Sequence, residues 1–265
     1  GKPGAVRLLA PPQHEFVPKD RREVEALAER LGSSVEQLRD RIEALAEVNP
    51  MMGLRGCRLS VVQPDILRMQ VRAIMEAAAV VSKEGVPVRP LIMVPLTATS
   101  EELINLVPLI TATAEEVFSE QDVKLDFEIG SMLEVPRACL RADSLAKHVS
   151  FFSFGSNDLT AFCYGFSRDD SAKFIPDYLK SHLLSADPFV RLDERGVGSL
   201  MHTAVVNARG VKRHIKMGLC GEHGGNPPSV EFCNAIGLDY VSCSPFRVPI
   251  AVVAAAAANI RAMSR

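Results

Sequence analysis

Two carboxylates of this 265-residue chain follow short apolar segments and have surroundings typical of metal ligands. Glu134 follows GSML, and Asp158 follows FFSFGSN. A small set of carboxylate oxygens suits Mg²⁺, which keeps several waters and takes further oxygens from a substrate. Each residue alone has an equally good structural explanation, a salt bridge for Glu134 and a helix cap for Asp158. Because both stand at the ends of apolar segments, we predict a shared metal site, beside a glycine turn at Gly155 where a ligand can approach the backbone.

A pair of arginines in NPMMGLRGCRLS predicts an anion site. Arg55 and Arg58 flank Gly56 after a proline turn. The guanidinium fork matches phosphate and carboxylate oxygens, and a neighbouring glycine lets an anion come close to the backbone. A pair of surface arginines is the ordinary alternative. We predict that Arg55 contacts the ligand and that Arg58 supports it.

A cysteine in GLDYVSCSPFRVP predicts a proton-transfer group. Cys243 lies between two serines just after a short apolar segment. A thiol with a pKa near 8.5 can give and take a proton at neutral pH when its neighbours position it. Free cysteines are more often inert buried groups. We apply that interpretation to the other cysteines, Cys57, Cys139, Cys163, Cys220 and Cys233.

The glycine-rich segment GLCGEHGGNP carries Glu222 and His223. A histidine in such a loop can be a general acid, a ligand or simply a hydrogen-bonding residue. We predict that both residues support the site without reacting themselves.

Short apolar segments alternating with amphipathic helices must position these side chains. Seven segments are predicted strands: 4–9, 53–60, 90–96, 124–133, 150–155, 215–221 and 239–244. The predicted helices cover 21–31, 34–47, 64–84, 100–119, 136–147, 196–209 and 227–236, and an alanine-rich segment, 248–260, is a further packed helix. Apolar strands separated by helices indicate a parallel sheet covered by helices.

The predicted fold is an α/β (β/α)₈ barrel of TIM type that lacks its first βα unit, within a single domain over 1–265. An open doubly wound sheet is the alternative. Polar residues follow nearly every predicted strand, and only a barrel brings all strand ends to one mouth.

Composition excludes several classes of function. The net charge of −2, with no long block of one sign, argues against nucleic acid. The six cysteines form no C-x-x-C pair, which argues against a zinc knuckle and indicates a reducing compartment. Residues 248–260 are too few for a membrane span, and the first residues are not a signal peptide. We predict a protein of the cytoplasm or an organelle lumen that is not secreted and binds no membrane.

The chain resembles the C-terminal, phosphoenolpyruvate/pyruvate-binding domain of the pyruvate, phosphate dikinases. The resemblance covers about residues 4–256. It rests on PPQHEFVP, NPMMGLRGCRL, MQVRAIMEAA, FFSFGSNDLT, SRDDSAKF, DPFVRLDERGVG, GEHGGNPPSVEFC and GLDYVSCSPFRVPIA. The last two segments differ from the corresponding ones in phosphoenolpyruvate synthase and in the first enzyme of the sugar phosphotransferase system, which share the barrel.

This resemblance implies transfer of a phosphoryl group between a phosphohistidine and pyruvate to give phosphoenolpyruvate, through a Mg²⁺-stabilised enolate. Glu134 and Asp158 would hold the metal, Arg55 would bind the phosphoryl group, and Cys243 would protonate or deprotonate the methyl carbon. The substrate-binding residues implied are Arg55, Glu134, Gly155, Ser156, Asn157 and Asp158. The implied partners are a phosphohistidine domain and a second copy of the chain in a homodimer.

Parts of the family pattern are missing. The chain has no nucleotide loop, no phosphohistidine motif and no first barrel strand with its arginine, so we expect a partial domain. Ala10, Ala161 and Val252 stand where the family has aspartate, glutamine and arginine, whereas the predicted metal pair and Cys243 match the family pattern.

Two other functions stay open. A non-catalytic module could bind pyruvate-like anions or serve as a dimerisation platform. A Mg²⁺-dependent lyase or aldolase on the same barrel would also stabilise a pyruvate enolate, but it would not need a thiol after the last strand.

Overall fold

The computed structural model describes residues 4–263, and its centre is a sheet of six parallel strands. The strands pair in chain order: β1 (Gly4–Arg7), β2 (Pro90–Val94), β3 (Glu128–Leu133), β4 (Phe151–Gly155), β5 (Lys216–Cys220) and β6 (Tyr240–Val241). In register, Gly4 lies beside Pro90 and Gly218 beside Tyr240. Within the described residues, β1 and β6 are the unpaired edges of the sheet.

Helices connect the strands and cover the outside of the sheet. They are α1 (Arg21–Leu31), α2 (Val35–Ala44), α3 (Cys57–Val62), α4 (Pro64–Lys83), α5 (Ser100–Gln121), α6 (Pro136–Leu140), α7 (Ala142–Leu145), α8 (Ser156–Tyr164), α9 (Ile175–Lys180), α10 (Val197–Val211), α11 (Pro227–Ala235) and α12 (Val248–Met263). The predicted helix 136–147 is two short helices, and α8 and α9 are additional to the predicted set.

Alternation along the strands separates two faces of the sheet. Ile92 and Phe154 point outward into the main core with the helices, whereas Met93, Met132 and Phe151 form a second cluster on the inner face. Because side chains alternate along a strand, the residues in register with the inner cluster also face inward.

The sheet curls into a half-barrel. All six strands contribute to one inner cavity of 670 Å³, which is lined by Ala5 of β1 and Tyr240 of β6 at its two ends. Strand glycines make room for rings inside it, since a Cβ on Gly130 would lie 2.4 Å from the Phe151 ring and one on Gly218 would lie 2.2 Å from Tyr240. The structure is therefore an α/β half-barrel, consistent with a TIM-type barrel.

The predicted strand 53–60 is wrong. This segment forms a 3₁₀ turn over Pro50–Met52, a loop and then α3. Gly56 has φ 59° and ψ −134°, a conformation that interrupts an extended strand, and the Cys57 N–H bonds to Pro95 O at 3.0 Å. The segment therefore packs across the end of β2 instead of pairing in the sheet, which leaves six strands where seven were predicted.

The last helix, α12, is only partly covered. It buries Ala251, Ala254 and Ala258, and packs against α11. Residues Pro245–Met263 have the length and the mean hydropathy, 1.4, to cross a membrane, but these two properties alone are a weak indication that they do so. The opposite face carries exposed apolar side chains, including Val252 and Val253.

Candidate functional site

Glu134 is the buried carboxylate of the site. It follows β3 on the inner face and is 1% exposed. Its Oε1 accepts a 2.7 Å hydrogen bond from the Leu96 N–H, and its Oε2 has no hydrogen-bond partner among residues 4–263. Burial, and then the negative charge of Asp158, raises the pKa of Glu134 from its usual 4.5 to about 7. Oε2 is therefore an available oxygen ligand.

Arg55 and Asp158 form a partly buried ion pair beside Glu134. Two guanidinium nitrogens of Arg55 donate to the two carboxylate oxygens of Asp158, at 3.1 and 3.4 Å. Arg55 is 4% exposed, and its Nε–H donates to Ala10 O at 2.8 Å while Nη1 donates to Met51 O. These backbone contacts fix the guanidinium in place, so its fork faces the end of α8 at which Asp158 lies.

Arg58 holds the loop that leads to Arg55. Its Nη1 donates to the carbonyl oxygens of Met52 and Gly53, at 3.1 and 2.8 Å. The structure thus gives Arg58 a contact with the backbone of this loop and gives Arg55 the contact with the site carboxylate.

The turn between β4 and α8 fits closely against Glu134. A Cβ on Gly155 would lie 2.0 Å from Glu134 Oε2, so any other residue at position 155 would overlap this oxygen. Asn157 Oδ1 is buried without a hydrogen-bond partner among the described residues, as are the hydroxyls of Thr97 and Thr160. Buried polar atoms of this kind normally have a protein, water or ligand partner.

His223 is completely buried and connects two loops to the turn. Its Nε2 lies 2.8 Å from Pro188 O, and its Nδ1 lies 2.7 Å from Ser156 Oγ. The carbonyl can only accept, so Nε2 carries the proton, and burial lowers the pKa of His223 and keeps the ring neutral at pH 7. Nδ1 then accepts the Ser156 hydroxyl proton, in preference to Cys220 O at 3.0 Å.

The Ser156 hydroxyl, in a predicted substrate-binding residue, therefore does not donate to a substrate. Its hydroxyl is buried and already donates to His223, so it has no second proton for a substrate oxygen.

Cys243 lies in its own pocket, of 190 Å³, with Gly221, Glu222 and Arg247. It is partly exposed. A Cβ on Gly221 would lie 2.8 Å from Ser156 Oγ, so this glycine separates the Cys243 pocket from the turn before α8. Glu222 is exposed at the rim, 3.6 Å from Arg168. The structure thus brings Arg55, Glu134 and Asp158 together and places Cys243 in a separate pocket, which shares Gly221 with the turn before α8.

Arg7 was not among the predicted site residues. It ends β1 two residues after Ala5, which lines the inner cavity, so it points inward. Its positive charge opposes the rise in the pKa of Glu134, as does that of Arg55, after the larger effect of the Leu96 N–H. The alternation of small or polar residues with Val6 and Leu8 was the signal that could have identified it.

The three departures from the family pattern lie in different places. Ala10 is buried, and its backbone carbonyl accepts the hydrogen bond from Arg55 Nε. This contact does not depend on which side chain stands at position 10. Ala161 is in α8, and Val252 is 62% exposed on α12.

The residues present fit a Mg²⁺ ion of the kind that takes few ligands from protein. Glu134 has one unpaired buried oxygen, and Asp158 stands close enough to raise the pKa of Glu134. Among residues 4–263, no group of three or more His, Cys, Asp or Glu residues could hold a metal ion by itself. A cation here would take its remaining ligands from water and substrate.

Comparison with known proteins identifies the family of the chain. The model of a family described as PEP-utilising enzyme, PEP-binding domain, matches residues 1–260. The chain is 49% identical over 261 residues to pyruvate, phosphate dikinase of Clostridium symbiosum, which covers 98% of the chain and 30% of that protein. It is 51% identical over 260 residues to the chloroplastic pyruvate, phosphate dikinase of Mesembryanthemum crystallinum, and the match covers 97% of this chain and 27% of that protein. It is 48% identical over 262 residues to pyruvate, phosphate dikinase of Giardia intestinalis, and the match covers 99% of this chain and 30% of that protein.

One solved structure, a citrate lyase from Burkholderia xenovorans LB400, matches with a TM-score of 0.47 and 16% identity over 71% of this chain and 53% of that one, a likeness too weak to bear on fold or chemistry. The chain spans less than a third of the length of the dikinases that it matches. With a matched region from the first residue to residue 260, the chain belongs to the PEP-utilising enzymes, as their PEP-binding domain.

Proposed function

We propose that this chain is the part of a pyruvate, phosphate dikinase that transfers a phosphoryl group between a phosphohistidine, carried elsewhere in a longer protein, and pyruvate. The observation that carries the proposal is the Arg55–Asp158 ion pair beside Glu134, whose Oε2 is buried and unpaired. This arrangement offers a cationic fork and carboxylate oxygens at one place, as a phosphorylated enol requires.

Each charged residue has a role that follows from its chemistry. Arg55, in the loop before α3, and Arg7, on the inner face of β1, are cations that would bind the phosphoryl oxygens and offset the negative charge that spreads over them during transfer. Glu134 and Asp158 would hold Mg²⁺, which when bound supplies positive charge next to the developing enolate oxygen. Asn157 would orient the substrate carboxylate, and Ser156 would contribute its backbone N–H.

Cys243 would move the proton of the methyl carbon. In the direction of phosphoenolpyruvate formation, C3 of pyruvate loses a proton to the thiolate, the enolate oxygen attacks phosphorus, and the N–P bond of the phosphohistidine breaks. In the reverse direction, the thiol returns the proton to C3. The Cys243 pocket, next to the turn before α8, is compatible with a proton donor approaching from one side.

Exchange of the methyl protons of pyruvate with D₂O tests this proposal in the full-length protein. We expect exchange in the presence of Mg²⁺ and its loss in Cys243→Ala. Cys163→Ala, which removes an exposed cysteine on α8, should exchange like the wild type.

The alternatives give different results. Pyruvate binding without exchange would indicate the non-catalytic module. Exchange that survives Cys243→Ala would contradict the role of Cys243 and would favour a lyase or aldolase, which needs no thiol at this position.

We further propose that the half-barrel, as one domain over 1–265, is part of an eight-stranded barrel. With six strands among residues 4–263, two further βα units would be needed to close it, rather than the single unit expected from the sequence. Two unpaired sheet edges and the exposed apolar face of α12 support this proposal, because edge strands and large apolar surfaces are normally covered. Homodimerisation, a phosphohistidine domain as partner and a location in the cytoplasm or an organelle lumen stay predictions. Light scattering of the full-length protein would measure the first of them.

A further inference from the structure

Leu96, two residues after β2, has an unfavourable backbone conformation at the centre of the site. Its φ is 56°, in the left-handed region, and its side chain is fully buried. This conformation costs a residue with a Cβ about 1–2 kcal/mol, whereas glycine adopts it without that cost. Strain of this kind persists where the surrounding structure imposes it, and it concentrates at functional sites.

The conformation of Leu96 directs its backbone N–H toward the Glu134 carboxylate. The Leu96 N–H donates to Glu134 Oε1 at 2.7 Å, which occupies one carboxylate oxygen and leaves Oε2 unpaired beside Gly155. This hydrogen bond favours one orientation of the carboxylate, so residue 96 contributes to the position of the free oxygen.

The side chain of Leu96 contacts the segment that carries Arg55. A Cβ on Gly56 would lie 2.9 Å from Leu96 Cβ and 3.0 Å from Leu96 Cδ1, so the leucine fits against the bare backbone of Gly56. The Cys57 thiol donates to Leu96 O at 3.2 Å, and the Cys57 N–H donates to Pro95 O at 3.0 Å. The Arg55–Cys57 backbone is therefore fastened to the end of β2.

We propose that Leu96 is a positioning residue: its left-handed backbone holds the Glu134 carboxylate while its side chain holds the Arg55 segment, so that one residue sets the distance between the anionic and the cationic halves of the site. Glycine would relieve the strain but would lose the contact with Gly56. The inference deepens the proposed function and rests on it for the idea that Glu134 binds a divalent cation.

Leu96→Gly and Leu96→Ala separate positioning from stability. Because glycine removes the strain, Leu96→Gly should melt a few degrees above Leu96→Ala, the reverse of the usual order of these residues. Both variants should nevertheless bind Mn²⁺, measured by electron paramagnetic resonance on the full-length protein, about tenfold more weakly than the wild type. Leu106→Ala, which removes a buried leucine of α5 in the main core, should lower the melting temperature without changing the affinity for Mn²⁺.

Wild-type affinity in both Leu96 variants would overturn the inference while leaving the metal site in place. Absence of Mn²⁺ binding in the wild type would contradict the metal site of the proposed function instead. In that case a crystal structure of Leu96→Gly decides: we expect the Arg55 guanidinium to be displaced from Asp158, and an unchanged ion pair would refute the positioning role.

Discussion

Arg55 and Glu134 differ in the number of hydrogen-bond partners that hold their side chains. Arg55 has two backbone acceptors besides Asp158, so its place does not depend on a ligand. Among residues 4–263, Glu134 has a single hydrogen-bond partner, the Leu96 N–H, and it is buried with its charge only partly offset. The arginine is therefore preorganised, whereas the buried carboxylate is the group that gains most from a bound cation.

Arg55→Lys should lower the rate of phosphoenolpyruvate formation about a hundredfold or more, because a lysine ammonium cannot contact Ala10 O, Asp158 and a phosphoryl group with a fixed fork. Steady-state kinetics of the full-length protein would measure this loss. Arg72→Lys, at the exposed pair with Glu120, is the matched control and should keep its activity. Equal activity of both variants would remove Arg55 from the mechanism.

The raised pKa of Glu134 makes stability depend on pH. The folded state binds the proton more tightly than the unfolded state, so the contribution of Glu134 is most favourable below about pH 4.5 and is lost as the pH rises to about 7. In EDTA, Glu134→Gln should flatten this dependence and be more stable than the wild type at pH 8 by on the order of 3 kcal/mol or less. Urea unfolding at pH 5 and pH 8 measures both effects. Glu116→Gln, an exposed position on α5, should follow the wild type.

Sequence patterns found the charged residues more readily than their contacts. Arg55, Glu134 and Asp158 could be predicted because each follows an apolar or glycine-containing segment. The ion pair between Arg55 and Asp158 could not, since it joins residues 103 positions apart and depends on how the loop after Pro50 crosses the sheet. The proton position on His223 likewise depends on Pro188, which no local pattern connects to it.

At the scale of elements, the turn from β4 into α8 brings the polar residues to the mouth. The strand is buried throughout, and α8 begins directly at Ser156 without a side-chain cap. Asp158 therefore lies in the first turn of a helix, where its negative charge is favourable. The close fit of Gly155 against Glu134 ties this turn to β3.

Gly155→Ala tests that fit. The added Cβ would overlap Glu134 Oε2, so we expect Mn²⁺ binding to fall at least tenfold and the free energy of unfolding to drop by about 1–3 kcal/mol. Gly210→Ala is the matched control, because a Cβ on Gly210 in α10 meets no atom within 4 Å. It should be neutral or stabilising by up to about 1 kcal/mol, and calorimetry would compare the two. A Gly155→Ala protein with wild-type binding would show that the turn can relax.

The segment 53–60 shows where element prediction from sequence fails. Its apolar and small residues fit a short strand as well as a helix turn, since short apolar segments do not distinguish the two. The deciding contacts are with Pro95 and Leu96 of another element. The longer elements were predicted well, and α1 over Arg21–Leu31 agrees at both ends, because an aspartate cap and a C-terminal glycine mark it in the sequence.

At the scale of the whole molecule, the main core lies outside the curled sheet and the inner face has only a small apolar cluster. The inner cavity is open because four strands lie between β1 and β6, and no further strand joins these two edges among the described residues. Parallel topology was predictable from the alternation of strands and helices, whereas the number of strands in the sheet was not.

Val253→Lys examines whether the exposed face of α12 is covered in the full-length protein. If a βα unit packs there, a buried lysine should lower the melting temperature by several degrees. Val206→Lys, at an exposed position of α10, is the control and should change it by about a degree or less. Equal melting temperatures for the two variants would mean that this face stays in water.

The ion pair between Arg55 and Asp158 has a consequence for the order in which ligands arrive. Both oxygens of Asp158 are occupied by the same guanidinium that would receive the phosphoryl group. An anion that accepts hydrogen bonds from Arg55 weakens the ion pair and makes the Asp158 carboxylate more available to a cation. A cation on Asp158 in turn makes the guanidinium more available to an anion, while the backbone acceptors keep Arg55 in place. Each ligand therefore strengthens the binding of the other by the same factor, as thermodynamic linkage requires. Titrations of Mn²⁺ with and without phosphoenolpyruvate, and the reverse pair, should give equal ratios above one.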